Sequence, residues 1–118
     1  MNCSKLPKSN TEMKSITVTE LNQKLNDGEE IDLLDVREHV ERRICHIKGS
    51  IFIPMNEVPE NTDKLSKEKM TVIYCHQGIR SYFVQDMLEN KFAFQNIYNL
   101  TGGIHAWALQ VDRGMRKY

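Results

Sequence analysis

Thr71-Val72-Ile73-Tyr74-Cys75-His76-Gln77-Gly78-Ile79-Arg80-Ser81 is a short apolar run that breaks into a polar loop beginning at a cysteine. Thr71 to Tyr74 favour a strand, because branched and aromatic side chains fit a pleated, buried surface. Ser81 then opens an amphipathic pattern that places Phe83, Val84, Met87 and Leu88 on one helix face. Cys75 is thereby set between a strand end and a helix start. Loop N–H groups converging there, together with the positive end of the helix, favour a thiolate over a thiol.

The flanking chain repeats the strand-then-helix pattern. Upstream, Ser15 to Val18 reads as a short strand, and Thr19 is a suitable cap for a helix carrying Leu21 and Leu25 that closes at Asn26-Asp27-Gly28. Ile31 to Val36 is the next strand, and Asp35-Val36-Arg37-Glu38 leads into a short helix with Val40 and Ile44 four apart. Cys45 to Ser50 makes a turn anchored by His46, and Ile51-Phe52-Ile53 reads as a buried strand stopped by Pro54. Asn56 to Lys69 is polar and suits irregular helical turns. Downstream, Asn96 to Leu100 is a last strand, and Thr101-Gly102-Gly103 turns the chain into a helix bearing Ile104, Trp107, Ala108 and Val111.

Strands alternating with short helices require crossover connections, so the fold class is α/β: a single domain with a mostly parallel central sheet and helices on both faces. We expect residues 1–14, which lack apolar periodicity, to be a flexible tail, 15–112 the domain and 113–118 a second tail. In open sheets of this kind ligands gather at strand C-termini, where Cys75 and Asp35 both lie.

The bulk properties narrow the function. With 118 residues, 16 Lys plus Arg balanced by 16 Asp plus Glu, and no apolar run of membrane-spanning length, the chain carries neither the charge of a nucleic-acid binder nor a membrane segment. The N-terminus has no signal-peptide layout, and the three irregularly spaced cysteines at 3, 45 and 75 suit a reducing, cytoplasmic setting. Adjacent Cys45-His46 and Cys75-His76 lack the spacing that lets both side chains reach one metal, so no metal and no cofactor is expected.

The loop carries the chemistry. His76, Gln77, Gly78, Ile79 and Arg80 each offer a backbone N–H, and Gly78 permits a left-handed turn that curls the chain about one point. Positive charge from Arg80, and from the helix that Ser81 opens, lowers the Cys75 pKa. Such a thiolate attacks the outer sulfur of a donor such as thiosulfate and keeps it as a persulfide for a later acceptor. Arg80 also has the option of pairing with Glu38 or Asp35 to brace the fold.

Four stretches, taken in order, resemble those of the single-domain rhodaneses, the thiosulfate sulfurtransferase-like family. They are Asp35-Val36-Arg37-Glu38, His46-Ile47-Lys48-Gly49-Ser50, Tyr74 to Ser81, and Gly102-Gly103-Ile104 through Ala106-Trp107. The resemblance covers residues 15 to 112. It implies that Cys75 is the sulfur-carrying nucleophile, that residues 76 to 80 are the cradle binding the substrate, and that Asp35 and Arg37 support the loop base. It also implies a small sulfur-containing anion or persulfide as donor and a thiol or protein sulfur as acceptor. Cys45 stands where the family usually has glycine.

Three other functions are open to these residues. The family includes catalytically quiet binding or regulatory modules. Cysteine phosphatases and arsenate reductases also frame a backbone nest with Cys and Arg, but only four residues separate Cys75 from Arg80, one fewer than those loops use. A redox role, with Cys75 oxidised or partnered by Cys45, is the third.

Overall fold

The computed structural model describes residues 13–118, so Cys3 and most of the expected N-terminal tail lie outside the described residues. Strands β1 (Ser15–Ile16), β2 (Ile31–Asp35), β3 (Ile51–Phe52), β4 (Met70–Tyr74) and β5 (Ile97–Leu100) form one sheet in the order β1-β5-β4-β2-β3. Every pairing is parallel. The central pair is the longest, running from Ile31 opposite Met70 to Asp35 opposite Tyr74. That register brings the C-terminal ends of β2 and β4 level, with Asp35 beside the residue that precedes Cys75.

Alternation along β4 splits the core in two. Ile73 and Cys75 point into a cluster with Leu34, Val84, Leu88 and Ile97, while Val72 and Tyr74 point into another with Leu21, Leu33, Ile104 and Trp107. Helix α3 (Ile79–Lys91) supplies Val84 and Leu88 to the first, and α1 (Val18–Asn26) and α4 (Gly103–Gln110) supply the second. The sheet is thus covered on both faces, as a parallel sheet requires. Helix α2 (His39–Ile44) buries no residue and follows directly from β2. The polar stretch after β3 forms two 3-10 segments, Met55–Glu60 and Thr62–Lys64. No helix among the described residues is long and apolar enough to cross a membrane.

Three local expectations are corrected. The cap of α1 is Thr17, not Thr19: its side chain accepts from the Glu20 amide at 3.1 Å while the Glu20 carboxylate accepts from the Thr17 amide at 2.9 Å. The pattern Thr-x-x-Glu at 17–20 is the signature that places the start two residues earlier. The 45–50 turn is held by Ile47 rather than by the exposed His46, since the Ile47 amide donates to the Tyr74 hydroxyl and its carbonyl accepts from the Ser50 amide. Finally, α3 buries Ser81, Val84, Gln85 and Leu88, whereas Phe83 is 61% exposed. Two polar contacts set that rotation: Ser81 faces the Cys75 sulfur, and the Gln85 amide donates to the Ile97 and Lys14 carbonyls.

Candidate active site

Cys75 follows β4 directly and is only 1% exposed. The chain then turns sharply at Gly78, whose φ of 113° lies in the left-handed region that the loop reading requires of a glycine. This reversal points the Gly78 amide back at the Cys75 sulfur, with N···Sγ at 3.1 Å, and the Ser81 amide, in the first turn of α3, lies 3.4 Å from the same atom. The Ser81 hydroxyl is also 3.4 Å away. Burial by itself pushes the thiol pKa up, but the Ser81 hydroxyl and amide, the Gly78 amide and the Arg80 charge together bring it below the ordinary value.

The donors are themselves fixed. The Ser81 hydroxyl donates to Asn99 Oδ1 at 2.6 Å, and Asn99 Nδ2 donates to the Gly78 carbonyl at 3.0 Å. One side chain on β5 therefore aligns both residues that contact the sulfur. The Ser81 hydroxyl has a single proton and two acceptors, Asn99 and the sulfur, so it turns toward whichever carries more charge. Ser81→Ala removes that option, and the Cys75 ionisation should move upward in pH, read from the pH dependence of its alkylation rate. An unmoved profile would remove the hydroxyl from the account.

The start of the loop is clamped from the opposite side. At the N-terminus of α4, the Ile104 and His105 amides donate to the Cys75 and His76 carbonyls, both at 3.0 Å. Gly103, with φ of 61°, makes this approach possible: a Cβ there would fall 2.6 Å from the Cys75 carbonyl oxygen. The Gly102-Gly103 pair thus serves close backbone packing as well as the turn.

A pocket of about 190 Å³ opens beside the sulfur, lined by Cys75, His76, Gln77, Ile79 and Arg80. Five of the expected site residues therefore meet there, while Gly78 and Ser81 reach the sulfur from the loop. Asp35 and Arg37 do not line the pocket. They are fully buried and joined by two side-chain hydrogen bonds of 2.9 Å. Arg42 and the Tyr74 hydroxyl also donate to Asp35, at 3.1 and 3.2 Å, and Arg37 reaches the Cys45 carbonyl at 2.6 Å and the Tyr118 hydroxyl at 2.8 Å. The pair ties the ends of β2 and β4 to the end of α2.

Arg80 pairs with neither Glu38 nor Asp35. Its guanidinium grips Glu41 of α2 through two bonds of 2.7 and 2.8 Å. The Arg80 bonds hold the Glu41 pKa down at about 2. Tyr118 completes the arrangement, donating to Glu41 at 2.8 Å and stacking on the His76 ring at 4.1 Å. Residues 113–118 form no helix or strand, yet their last side chain sits against the site. Cys45 is a free, half-buried thiol packed against the cluster on the face opposite Cys75.

Glu41, Asn99 and Tyr118 were not among the residues expected at the site. Asn99 carried a signal, a polar residue inside the otherwise apolar strand Ile97–Leu100. Glu41 had a weaker one, since a partly buried arginine calls for a carboxylate. Tyr118 had none.

A parallel sheet that delivers a cysteine from its central strand into a short loop whose amides point at the sulfur defines an α/β domain with a buried, hydrogen-bonded cysteine at its switch point. Residues 17–110 match the rhodanese-like domain. The chain belongs to that family. A putative sulfurtransferase of Bacillus subtilis, YtwF, is 35% identical over 96 residues, which is 81% of this chain and 91% of that protein. The chloroplastic rhodanese-like/PpiC domain-containing protein 12 of Arabidopsis thaliana is 37% identical over 90% of this chain, but the chain spans only 38% of that relative. The crystal structure of a rhodanese-like domain protein from Staphylococcus aureus superposes with a TM-score of 0.75 at 36% identity, covering 80% of this chain and 91% of that one.

Proposed function

We propose that this chain is a sulfurtransferase that moves a sulfane sulfur from a donor, such as thiosulfate or a persulfide, to a thiophilic acceptor, with Cys75 as the carrier. The observation that carries the reading is the pair of amides, from Gly78 and Ser81, aimed at a sulfur that is otherwise buried. Those donors favour the ionised sulfur that the first step needs. The Cys75 thiolate attacks the outer sulfur of thiosulfate, the S–S bond breaks, and sulfite leaves with its electron pair. The new terminal sulfur of Cys75–S–S⁻ enters the pocket toward the amides of His76, Gln77, Ile79 and Arg80. An acceptor, whether cyanide, a small thiol or a protein thiol, then attacks that terminal sulfur and restores the thiolate.

The reading fits a relative named as a putative sulfurtransferase. Phosphate chemistry fits less well, because the four-residue spacing makes a smaller ring and Arg80 is occupied by Glu41. The two-step exchange draws on no cofactor. Intact-mass measurement after incubation with thiosulfate and, separately, with glutathione persulfide tests it: one added sulfur atom, removed by cyanide, is expected. No gain from either donor would leave a binding or regulatory module.

A further inference from the structure

Tyr118 reaches both ends of the loop that follows Cys75. At His76 the contact is direct: the two rings stack with centroids 4.1 Å apart and planes 18° from parallel, and the Tyr118 main-chain oxygen lies 2.9 Å from His76 Nε2. At Arg80 it runs through one intermediary. The Tyr118 hydroxyl donates to Glu41 Oε2 at 2.8 Å, the same oxygen that accepts from the Arg80 guanidinium at 2.8 Å. Among the described residues, Glu41 is the only hydrogen-bond partner of the Arg80 side chain, so whatever fixes Glu41 also fixes Arg80.

Tyr118 is itself held in place. Its hydroxyl accepts from Arg37 at 2.8 Å, and Arg37 is fully buried against Asp35, so the phenol is anchored to the end of the sheet and its one proton is left for Glu41. Three residues earlier, Met115 packs against the core cluster that contains Ile104 and Trp107. The loop needs such anchors at its ends, because its middle has little packing of its own: Gln77 is exposed and Ile79 is 71% exposed. Asn99 holds Gly78, and the His105 amide of α4 holds the His76 carbonyl at 3.0 Å. What remains to be fixed is the His76 ring and Arg80, and Tyr118 serves both.

We propose, on the reading of Cys75 as the sulfur carrier, that Tyr118 is a positioning residue for sulfur transfer: it clasps the two ends of the loop, His76 directly and Arg80 through Glu41, and so holds the cradle in the shape that receives the transferred sulfur. His76 and Arg80 both line the pocket beside Cys75. Donors that are already in position when charge develops stabilise it without reorganising, whereas a loop free to spread must first close. The segment after α4 is thereby a working part of the site.

Rapid-quench loading of Cys75 followed by intact mass, with thiosulfate and glutathione persulfide as probes, tests the proposal in variants shown by urea unfolding to be folded. Tyr118→Ala should lower the maximal loading rate about tenfold while the half-saturating donor concentration stays within about twofold, because the cradle meets charge that develops during transfer. Tyr118→Phe keeps the stack on His76 and loses only the bond to Glu41, so it should lower the rate about threefold. In a Glu41→Ala background Tyr118→Phe should cost nothing further, whereas Tyr118→Ala should still cost the part carried by His76. A role confined to stability would leave the loading rate of the folded variants unchanged. Full-rate loading by folded Tyr118→Ala, or an undiminished cost of Tyr118→Phe in the Glu41→Ala background, overturns the proposal and leaves the sulfur-carrier reading intact. Loading of the unaltered protein by neither donor overturns both. If Tyr118→Ala does not fold, Tyr118→Phe decides: full-rate loading by it overturns the clasp.

Discussion

Cys75→Ser will gain no mass from thiosulfate or glutathione persulfide, while the unaltered protein gains one sulfur atom that cyanide removes. The effect is expected to be complete, because no other described cysteine has the required surroundings. Cys45 is half-buried against the opposite core cluster, and no loop amide is directed at its sulfur. Serine fills nearly the same volume and keeps the Gly78 and Ser81 amides partnered, so the fold should persist and the loss can be assigned to chemistry. The hydroxyl is a far weaker nucleophile at neutral pH. Sulfur loading that survives in Cys75→Ser, or that is lost instead in Cys45→Ser, would transfer the carrier role elsewhere.

The second large effect is on stability. Arg37→Met should lower the unfolding free energy by about 3–5 kcal/mol, because it removes one partner of a fully buried ion pair and leaves Asp35 incompletely compensated. Asp35 would retain Arg42 and the Tyr74 hydroxyl, which argues for the lower end of that range. The Cys45 carbonyl and the Tyr118 hydroxyl would lose a donor as well. Urea unfolding measures the change. A loss of only about 0.5 kcal/mol, typical of an exposed substitution, would mean that the buried pair does not support the fold. Because Arg37 reaches the pocket only through Tyr118 and Glu41, the folded variant should still accept sulfur.

The architecture was legible because each strand and each helix announced itself locally. The apolar run 71–74, the Gly102-Gly103 turn and the spacing of Ile104, Trp107 and Ala108 read directly as elements, and alternation of strands with helices then left a parallel sheet. The sulfur's surroundings were legible for the same reason: Cys75, Gly78 and Ser81 fall within seven consecutive residues at the strand-to-helix junction. What escaped were contacts between distant parts of the chain. Glu41 lies 39 residues from Arg80, and Tyr118 lies 42 from His76. No periodicity links such positions, and several carboxylates near residue 38 compete equally for one arginine in a linear reading.

The misjudged face of α3 has a related cause. Hydrophobic periodicity treats Phe83 as a core residue, whereas the helix is rotated by two polar contacts, Ser81 to sulfur and Gln85 to the sheet's carbonyls. Satisfying a buried sulfur and two backbone carbonyls outweighs covering one more ring, since an unpaired buried polar group costs about 1–3 kcal/mol. The residue displaced outward by that choice, Phe83, is left exposed on the helix surface. Site chemistry here determines the orientation of a packing element.

Ionisation of Cys75 also links the site to stability. Its folded pKa lies below its unfolded one, so the contribution is fully present above the unfolded thiol value and is lost as pH falls through the folded value. The most direct measurement is therefore a thiolate titration by ultraviolet absorbance in the protein carrying Cys3→Ser and Cys45→Ser, which leaves Cys75 alone to report. The hydrogen bonds from Gly78 and Ser81 predict a midpoint clearly below the ordinary thiol value of 9.0. A midpoint at or above 9.0 would mean that burial prevails over the loop donors, and the account of Cys75 as an ionised sulfur carrier would be contradicted.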